Sequence, residues 1–234
     1  MYEVESMKAI NAERGSQIEK VSKGNLEKFL NLDQEKQDRI VSAAMKEFQY
    51  GYKKANTEAI TKEAGISKGL LFYYFGTKEQ LYAYIVNLAS LFLQQDIHRY
   101  FANGKQDILE IFRIYAIDRR KQKLRFPFIY DFLNGIFNHW EDNPKIPALA
   151  LFEAEQSNIY EDFYTGCDMD LFREDLDIPK AIDIIIYVLD GLLGEDGEDL
   201  HIEGGRCFEK QYKANVESYI ATFRKSFYKS KEDR

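Results

Sequence analysis

Cysteine, proline and histidine are scarce in this chain of 234 residues. It contains two cysteines, four prolines and three histidines. The cysteines, Cys167 and Cys207, are isolated in sequence, which favours reduced thiols in a cytoplasmic protein over a disulfide or a metal pair. So few prolines, without an alternation of strand-like and turn-like segments, favour helices over sheets.

Long apolar runs and an apolar N-terminal signal region are also missing. No stretch of about 18 apolar residues is present, so we expect no transmembrane helix and no membrane partner. The polar N-terminus is not that of an exported protein. There is no glycine-rich phosphate loop and no nucleophile elbow, and the three histidines lie far apart. These absences argue against an enzyme and against a bound cofactor.

The net charge of −7 at first argues against binding to nucleic acid. The distribution of charge matters more than its sum. Residues 51–78 hold five lysines and two glutamates, a net charge of +3, whereas much of the acidity falls between residues 153 and 203. For the acidic link 194–205 a metal site is the minor alternative, because charge runs are usually solvated. We expect no metal.

The stretch from residue 57 to residue 78 has the pattern of a helix-turn-helix. Gly65 follows the helical run Thr57–Ala64 and can adopt the left-handed conformation that ends a helix. Ser67 stands where an N-cap residue is wanted. The next helix is short because Gly76 stops it, and Thr77 caps another helix directly afterwards. In such a motif the second helix enters the DNA major groove.

The second helix of this motif predicts an unusual outer face. At 3.6 residues per turn, Leu71 and Phe75 face the preceding helix, while Gly69, Leu70 and Tyr73 point outward. Glycine permits close approach, leucine can contact a thymine methyl, and tyrosine hydroxyls and lysines can reach phosphates. The candidate DNA-binding residues are Asn56, Thr57, Ser67, Lys68, Gly69, Leu70, Tyr73, Tyr74 and Lys78.

Alternative roles remain open for several of these candidates. Tyr74 is expected at the edge of the exposed face, and both Tyr73 and Tyr74 could be only the rim of a core. Asn56 could serve only as a helix cap, although capping and a phosphate contact are compatible. Lys78 lies in the first turn of the following helix, where free N–H groups and the helix dipole favour a phosphate.

The run from Ile60 to Leu81, I-T-K-E-A-G-I-S-K-G-L-L-F-Y-Y-F-G-T-K-E-Q-L, closely resembles the DNA-binding domain of TetR-type transcriptional regulators. The resemblance extends back to about Asp33. This sequence has Phe72 where the family often has tyrosine, and Thr61 where it often has alanine. Neither difference affects the face assigned to DNA. The C-terminal two-thirds carries no motif of its own, which fits a family whose C-terminal domain varies with its ligand.

The resemblance implies an all-α protein. We expect a polar N-terminal extension at 1–30, a three-helix helix-turn-helix domain at 31–80, and a helical ligand-binding and dimerisation domain at 81–234. The apolar patterns predict a first helix from Asp33 to Tyr50 and a long helix from Thr77 to about Tyr100. Further helices are predicted at 106–123, 127–140, 144–164, 179–193 and 206–227.

Aromatic residues are dense between residues 115 and 164. Rings in such number are hard to pack without gaps, and pockets between helices are common ligand sites, so a cavity is expected, with a filled core as the alternative. A largely apolar or aromatic molecule would fit it. The candidate ligand-binding residues are Tyr115, Phe128, Phe132, Phe137, Trp140, Phe152 and Tyr160.

Helices 178–193 and 206–227 predict a homodimer interface, which the resemblance also implies. The first is apolar on nearly all sides, and paired copies of both would form a four-helix bundle. Ile185 and Tyr219 are expected on the seam.

The sequence therefore predicts a cytoplasmic, ligand-responsive regulator that binds operator DNA, and more specifically a repressor released by its effector. A helical small-molecule-binding protein or an enzyme without DNA-dependent function is the alternative. The helix Thr77–Tyr100 would couple effector binding to DNA binding, because it runs from the DNA-binding domain into the rest of the chain.

Overall fold

The computed structural model describes residues 25–101, 106–153, 165–194 and 205–230. All regular structure within these ranges is helical, which confirms the predicted all-α class. Two short 3₁₀ helices lie at Trp140–Asp142 and Met169–Leu171. The α-helices are α1 Leu26–Leu30, α2 Gln34–Phe48, α3 Thr57–Ala64, α4 Lys68–Phe75, α5 Lys78–Phe101, α6 Ile108–Arg125, α7 Ile129–Asn138, α8 at 147–153, α9 Ile178–Gly194 and α10 Gly205–Phe227.

The predicted helix positions agree with these bounds to within a few residues. Helix α2 begins where Asp33 accepts a hydrogen bond from the backbone N–H of Lys36 at 2.8 Å. Helix α5 begins where the hydroxyl of Thr77 accepts one from Gln80 at 3.1 Å. Of the predicted helix at 144–164, residues 144–146 are not helical, 147–153 are helical, and 154–164 lie outside the described residues.

The chain consists of two compact units. Of the described residues, 25–91 and 126–153 belong to the first unit, and the others belong to the second. This division differs from the predicted boundary at residue 80, since α7 groups with the helix-turn-helix.

In the first unit, α2 packs against both α3 and α7. The apolar stripe predicted for α2 is buried in full, and it consists of Ile40, Val41, Ala44, Met45 and Phe48. The turn after α7 is tied to α5, since Tyr82 donates its hydroxyl to Asn143 at 2.8 Å. Asn143 in turn donates to the carbonyl of Ile136 at 3.0 Å. These bonds hold the turn that follows α7 against α5.

Helix α1 lies in a segment that the sequence had indicated to be a polar extension. Phe29 is fully buried, with its ring centroid 5.9 Å from that of Tyr74 and 4.8 Å from that of Phe75. The backbone N–H of Asn25 donates to the carbonyl of Tyr73 at 2.9 Å. The end of the predicted extension therefore packs directly against α4.

In the second unit, α6 packs against α9 and α10. The hydroxyl of Tyr212 donates to the carbonyl of Ala116 at 3.0 Å, which fixes α10 against the middle of α6. Near the start of α6, Asp107 accepts hydrogen bonds from Tyr228 at 2.7 Å and from Arg224 at 2.5 Å. These bonds fasten the C-terminal end of α10 to the first turn of α6.

Cys167 is a free, buried thiol, in agreement with the reduced state expected from sequence. Burial raises its pKa to about 12, and the nearby carboxylate of Asp107 adds to that shift. The thiol is therefore protonated and unreactive near neutral pH. Cys207 lies where no side chain is described.

No helix in the described ranges is long and apolar enough to cross a membrane. Among the same residues, no group of three histidine, cysteine or acidic side chains is placed to hold a metal ion. Most of the acidic link 194–205, where a metal was the minor alternative, lies outside the described residues.

Candidate nucleic-acid interface

The turn between α3 and α4 has the geometry that its sequence predicts. Gly65 adopts the left-handed conformation, with φ 67° and ψ 36°, and ends α3. Ser67 then caps α4, because its hydroxyl accepts a hydrogen bond from the backbone N–H of Leu70 at 3.1 Å. At the other end of α3, the side-chain oxygen of Asn56 accepts from the N–H of Glu58 at 2.8 Å. These local bonds fix the helix-turn-helix.

One face of α4 is anchored in the core. Leu71 and Phe75 are buried as predicted. Tyr74 was expected at the edge of the exposed face, but only 6% of it is exposed. Position 74 lies three residues after Leu71 and so shares its face, and the ring of Phe29 packs against the tyrosine ring there. The structure thus corrects the placement of Tyr74; its contact with DNA stays a prediction.

The opposite face of α4 points to solvent. Lys68 and Gly69 are exposed, Leu70 is half-buried, and Tyr73 is 48% exposed. A Cβ placed on Gly69 would meet no atom within 4 Å. Packing within the protein therefore does not require glycine here, although glycine weakens a helix relative to alanine. A surface approached closely by a partner explains this residue better than solvation does.

Two lysines at this surface are held by neighbouring side chains. Lys68 Nζ lies 3.0 Å from Glu58 Oε1. Lys78 Nζ lies 4.7 Å from the centroid of the Tyr52 ring, in a cation–π contact. Burial lowers the pKa of Lys78, and the carboxylate of Glu47 partly opposes that shift. Both lysines are thus held in place within the protein, one by a carboxylate and one by a ring.

The N-terminus of α3 is capped within the protein. The side-chain oxygen of Asn56 accepts a hydrogen bond from the backbone N–H of Glu58. The backbone N–H of Asn56 donates to Glu47 Oε2 at 3.1 Å. The capping role of Asn56 is therefore confirmed, while phosphate contacts by Asn56 and Thr57 stay predictions.

Three features of this surface did not follow from the sequence. Phe29 and Asn25 support α4 from behind, and a single phenylalanine in a polar segment gave no periodic signal. Lys53, counted among the five basic residues of 51–78, lies 2.6 Å from Asp142, which belongs to a distant part of the chain. Glu58 was recognised only as a charge, and its pairing with Lys68 depends on the fold.

The predicted ligand-binding residues do not form one described cluster. Phe132 and Phe152 are fully buried, and Phe132 packs against Tyr82 with ring centroids 5.9 Å apart. Phe137 and Trp140 are 53% and 37% exposed. The Phe137 ring lies 5.4 Å from that of Phe152. Of the other candidates, Phe128 lies beside Lys46, Tyr115 belongs to the second unit next to Arg119, and Tyr160 lies outside the described residues.

The predicted dimer face is partly corrected. Ile185 is fully buried within its own unit, so it does not lie on an accessible seam. Tyr219 is 41% exposed, in agreement with its expected place. The most exposed large apolar residues of α9 are Tyr187, at 74%, and Ile184, at 48%. Ile184 and Tyr187 lie three residues apart and therefore share one face of the helix.

Comparison with known proteins identifies the helix-turn-helix. Residues 40–85 match the family described as bacterial regulatory proteins, tetR family. A TetR family transcriptional regulator from Chloroflexus aurantiacus superposes with a TM-score of 0.52 at 19% identity, over 87% of this chain and 98% of that one. The TetR family regulator PfmR from Thermus thermophilus gives 0.52 at 21% identity, over 80% and 97%. None of the curated protein sequences matches this chain. The structural likeness extends the shared fold beyond the matched residues.

Proposed function

We infer that this chain, a TetR-type transcriptional regulator by the match of its residues 40–85, binds operator DNA in the cytoplasm and represses transcription until an effector releases it. The observation that carries the DNA-binding role is the outer face of α4. It combines the exposed ring of Tyr73 with Gly69, a position where packing in the described structure does not require glycine. A close, partly apolar fit into a major groove accounts for both residues.

We place the phosphate contacts on the residues that flank this face. Lys68 begins α4 and Lys78 begins α5. Ser67, Asn56 and Thr57 lie at helix N-termini, where backbone N–H groups and the helix dipole attract anions. Leu70 would touch a thymine methyl, and Tyr74 would reach a phosphate only through its hydroxyl, since its ring packs in the core.

The proposed assembly is a homodimer through α9 and α10. Its support is an exposed apolar stripe on α9, with Ile184 and Tyr187 as its largest side chains, and Tyr219 on α10. Exposed apolar residues grouped on one helix face commonly mark an interface. A dimer would also match two-fold operators, in which half-sites lie one helical turn apart.

For the effector we propose a small, largely apolar or aromatic molecule. The support for this class is a set of rings at the end of α7 and in α8, where Phe137 and Trp140 keep accessible surface beside Phe152. Aromatic walls with few polar groups are typical of small-molecule sites.

A mobility-shift titration tests the DNA-binding role. The probe is the region upstream of the protein's own gene, with an unrelated duplex of equal length as competitor. Wild-type protein should shift the probe and resist the competitor. Tyr73→Ala should weaken the shift. Tyr50 is a more exposed tyrosine outside α3 and α4, and Tyr50→Ala should not weaken it. Failure of the wild type to bind either duplex at low salt would refute the proposal.

A further inference from the structure

An acidic side chain lies on the DNA-facing motif itself. Glu58 is in the first turn of α3, and its Oε1 accepts a hydrogen bond from Nζ of Lys68 at 3.0 Å. Both side chains are well exposed. Lys68 is the first residue of α4. The pair therefore links the two helices of the motif across its solvent-exposed surface.

Stability of the fold explains this carboxylate only in part, because an acidic side chain in the first turn of an exposed helix gains only a modest amount from the helix dipole. Exposed ion pairs contribute little to folding, because solvent screens them and both side chains lose freedom. The motif is already fixed by the caps of Asn56 and Ser67 and by the turn at Gly65. A negative charge beside a proposed DNA contact also repels the phosphates, so its presence calls for a role in binding.

We propose that Glu58 competes with a DNA phosphate for Lys68 and so limits the sequence-independent part of DNA affinity. This inference deepens the proposed DNA-binding function and rests on it. Without DNA, the Glu58 carboxylate is paired with Lys68 and lies at the N-terminus of α3. The lysine and the helix N-terminus both attract anions. To contact a phosphate, Lys68 must leave Glu58 or share its charge with it.

The consequence is a gain in discrimination. Phosphate contacts strengthen binding to every sequence alike, whereas contacts with base edges distinguish sequences. A carboxylate that weakens one phosphate contact lowers non-specific binding and leaves the readout by Gly69, Leu70 and Tyr73 in place. Glu58 is thus a positioning residue that acts through Lys68, not a DNA contact.

The same helix offers a matched control. Glu63 lies 2.8 Å from Lys46, and this pair is also exposed. It joins α3 to α2 instead of α4, and Lys46 is not among the proposed DNA contacts. Glu63→Gln therefore removes the same charge from the same helix without releasing Lys68.

The experiment measures fluorescence anisotropy of a labelled mixed-sequence duplex of about 30 base pairs, or three helical turns, over a series of salt concentrations. Glu58→Gln should bind about two- to fivefold more tightly than wild type, which is the strength of one exposed ion pair. Its plot of log affinity against log salt should be steeper by about 1 per subunit. Glu63→Gln should match wild type, and Glu58→Gln should give no gain in a Lys68→Ala background.

Three results would overturn the inference. Unchanged or weaker binding by Glu58→Gln would show that the carboxylate does not compete. An equal gain in the Lys68→Ala background, or from Glu63→Gln, would show a general charge effect instead of an action through Lys68. If wild-type protein binds no duplex at low salt, the proposed function fails and the inference with it; wild-type binding with any of the other results refutes the inference alone.

Discussion

Gly135 of α7 meets the backbone of Gln49, at the end of α2, at a distance that only glycine allows. A Cβ placed on Gly135 would lie 2.3 Å from the carbonyl oxygen of Gln49 and 2.8 Å from its carbonyl carbon. Backbone cannot yield as a flexible side chain can. Since α2 also packs against α3 of the helix-turn-helix, this contact fixes α7 to the helix that supports that motif.

Replacing Gly135 with alanine should therefore destabilise the protein by about 1–3 kcal/mol, the usual cost of overpacking. Gly69 in α4 is the matched control, because a Cβ there meets nothing within 4 Å and the residue lies outside the proposed dimer interface. Gly69→Ala should be neutral or stabilise by up to about 1 kcal/mol, as glycine weakens a helix. Thermal unfolding at one fixed protein concentration measures both. Equal stability of the two variants would contradict the close contact.

Replacing Gly69 with alanine should preserve the stability of the protein but weaken its binding to DNA. Because no neighbour fills the space of its missing side chain, Gly69→Ala should leave stability unchanged or raise it by up to about 1 kcal/mol. If DNA backbone or bases approach this position, the added methyl group should weaken operator binding by roughly 1–3 kcal/mol, comparable to one base contact. Unfolding and DNA titration of the same variant separate the two effects. Unimpaired DNA binding would remove Gly69 from the interface.

The sequence predicted those parts of the fold that depend on local chemistry. Asn56, Ser67 and Thr77 were identified as caps, and each accepts the expected backbone hydrogen bond. Gly65 has the predicted left-handed conformation. Such features need only neighbouring residues, so a single sequence reveals them.

The remainder depends on residues far apart in the chain. Tyr74 is buried because Phe29, 45 positions earlier, packs on it. Lys53 lies against Asp142, 89 positions later. The apolar pattern of α9 suggested burial on two sides, but it did not distinguish Ile185, which is buried in its own unit, from Tyr187, which is exposed. Only the packing of α6, α9 and α10 decides that.

The exposed face of α9 supplies a test of assembly. Tyr187→Glu should convert the protein to monomer, because a charge would be buried in the proposed interface, of roughly 2,000 Å² or more as in obligate dimers. Sedimentation at micromolar concentration measures the mass. Tyr50→Glu adds the same charge at an exposed tyrosine outside α9 and α10 and serves as the control. A monomeric wild type would refute the proposed dimer. Ile185→Glu should instead unfold the chain, since Ile185 is fully buried.

Asp107 should make stability depend on acid pH. Burial by itself would raise its pKa, but hydrogen bonds from Tyr228 and Arg224 outweigh that effect and hold the pKa below its usual value. A depressed pKa means that the stabilisation is complete above the unfolded-state pKa of about 3.9. It is lost as the pH falls through the lower pKa of the folded state.

Asp107→Asn should thus destabilise the protein at pH 7 by roughly 1–3 kcal/mol, as expected for hydrogen bonds to a charged group. The difference from wild type should shrink as the pH falls below about 4. Urea unfolding at several pH values measures this. Asp175 is an exposed carboxylate whose pKa is lowered mainly by Arg173, and Asp175→Asn should cost much less. A difference that stays constant with pH would contradict the role of the Asp107 charge.

Effector and operator should oppose each other by the same factor. DNA with half-sites one turn apart holds two recognition helices about 34–36 Å apart, so an effector that favours another separation must weaken operator binding. Linkage requires that operator weakens effector binding equally, and a typical coupling of about 1–3 kcal/mol corresponds to roughly 5–150-fold.

Trp140 is the single tryptophan of the chain and is partly exposed beside the proposed site, so quenching of its fluorescence can report effector binding. The two affinities should be measured each with and without the other ligand. Trp140→Phe serves as the control for the signal, which it should abolish. A ligand that quenches Trp140 tightly but leaves operator affinity unchanged would show that these rings bind small molecules without controlling DNA.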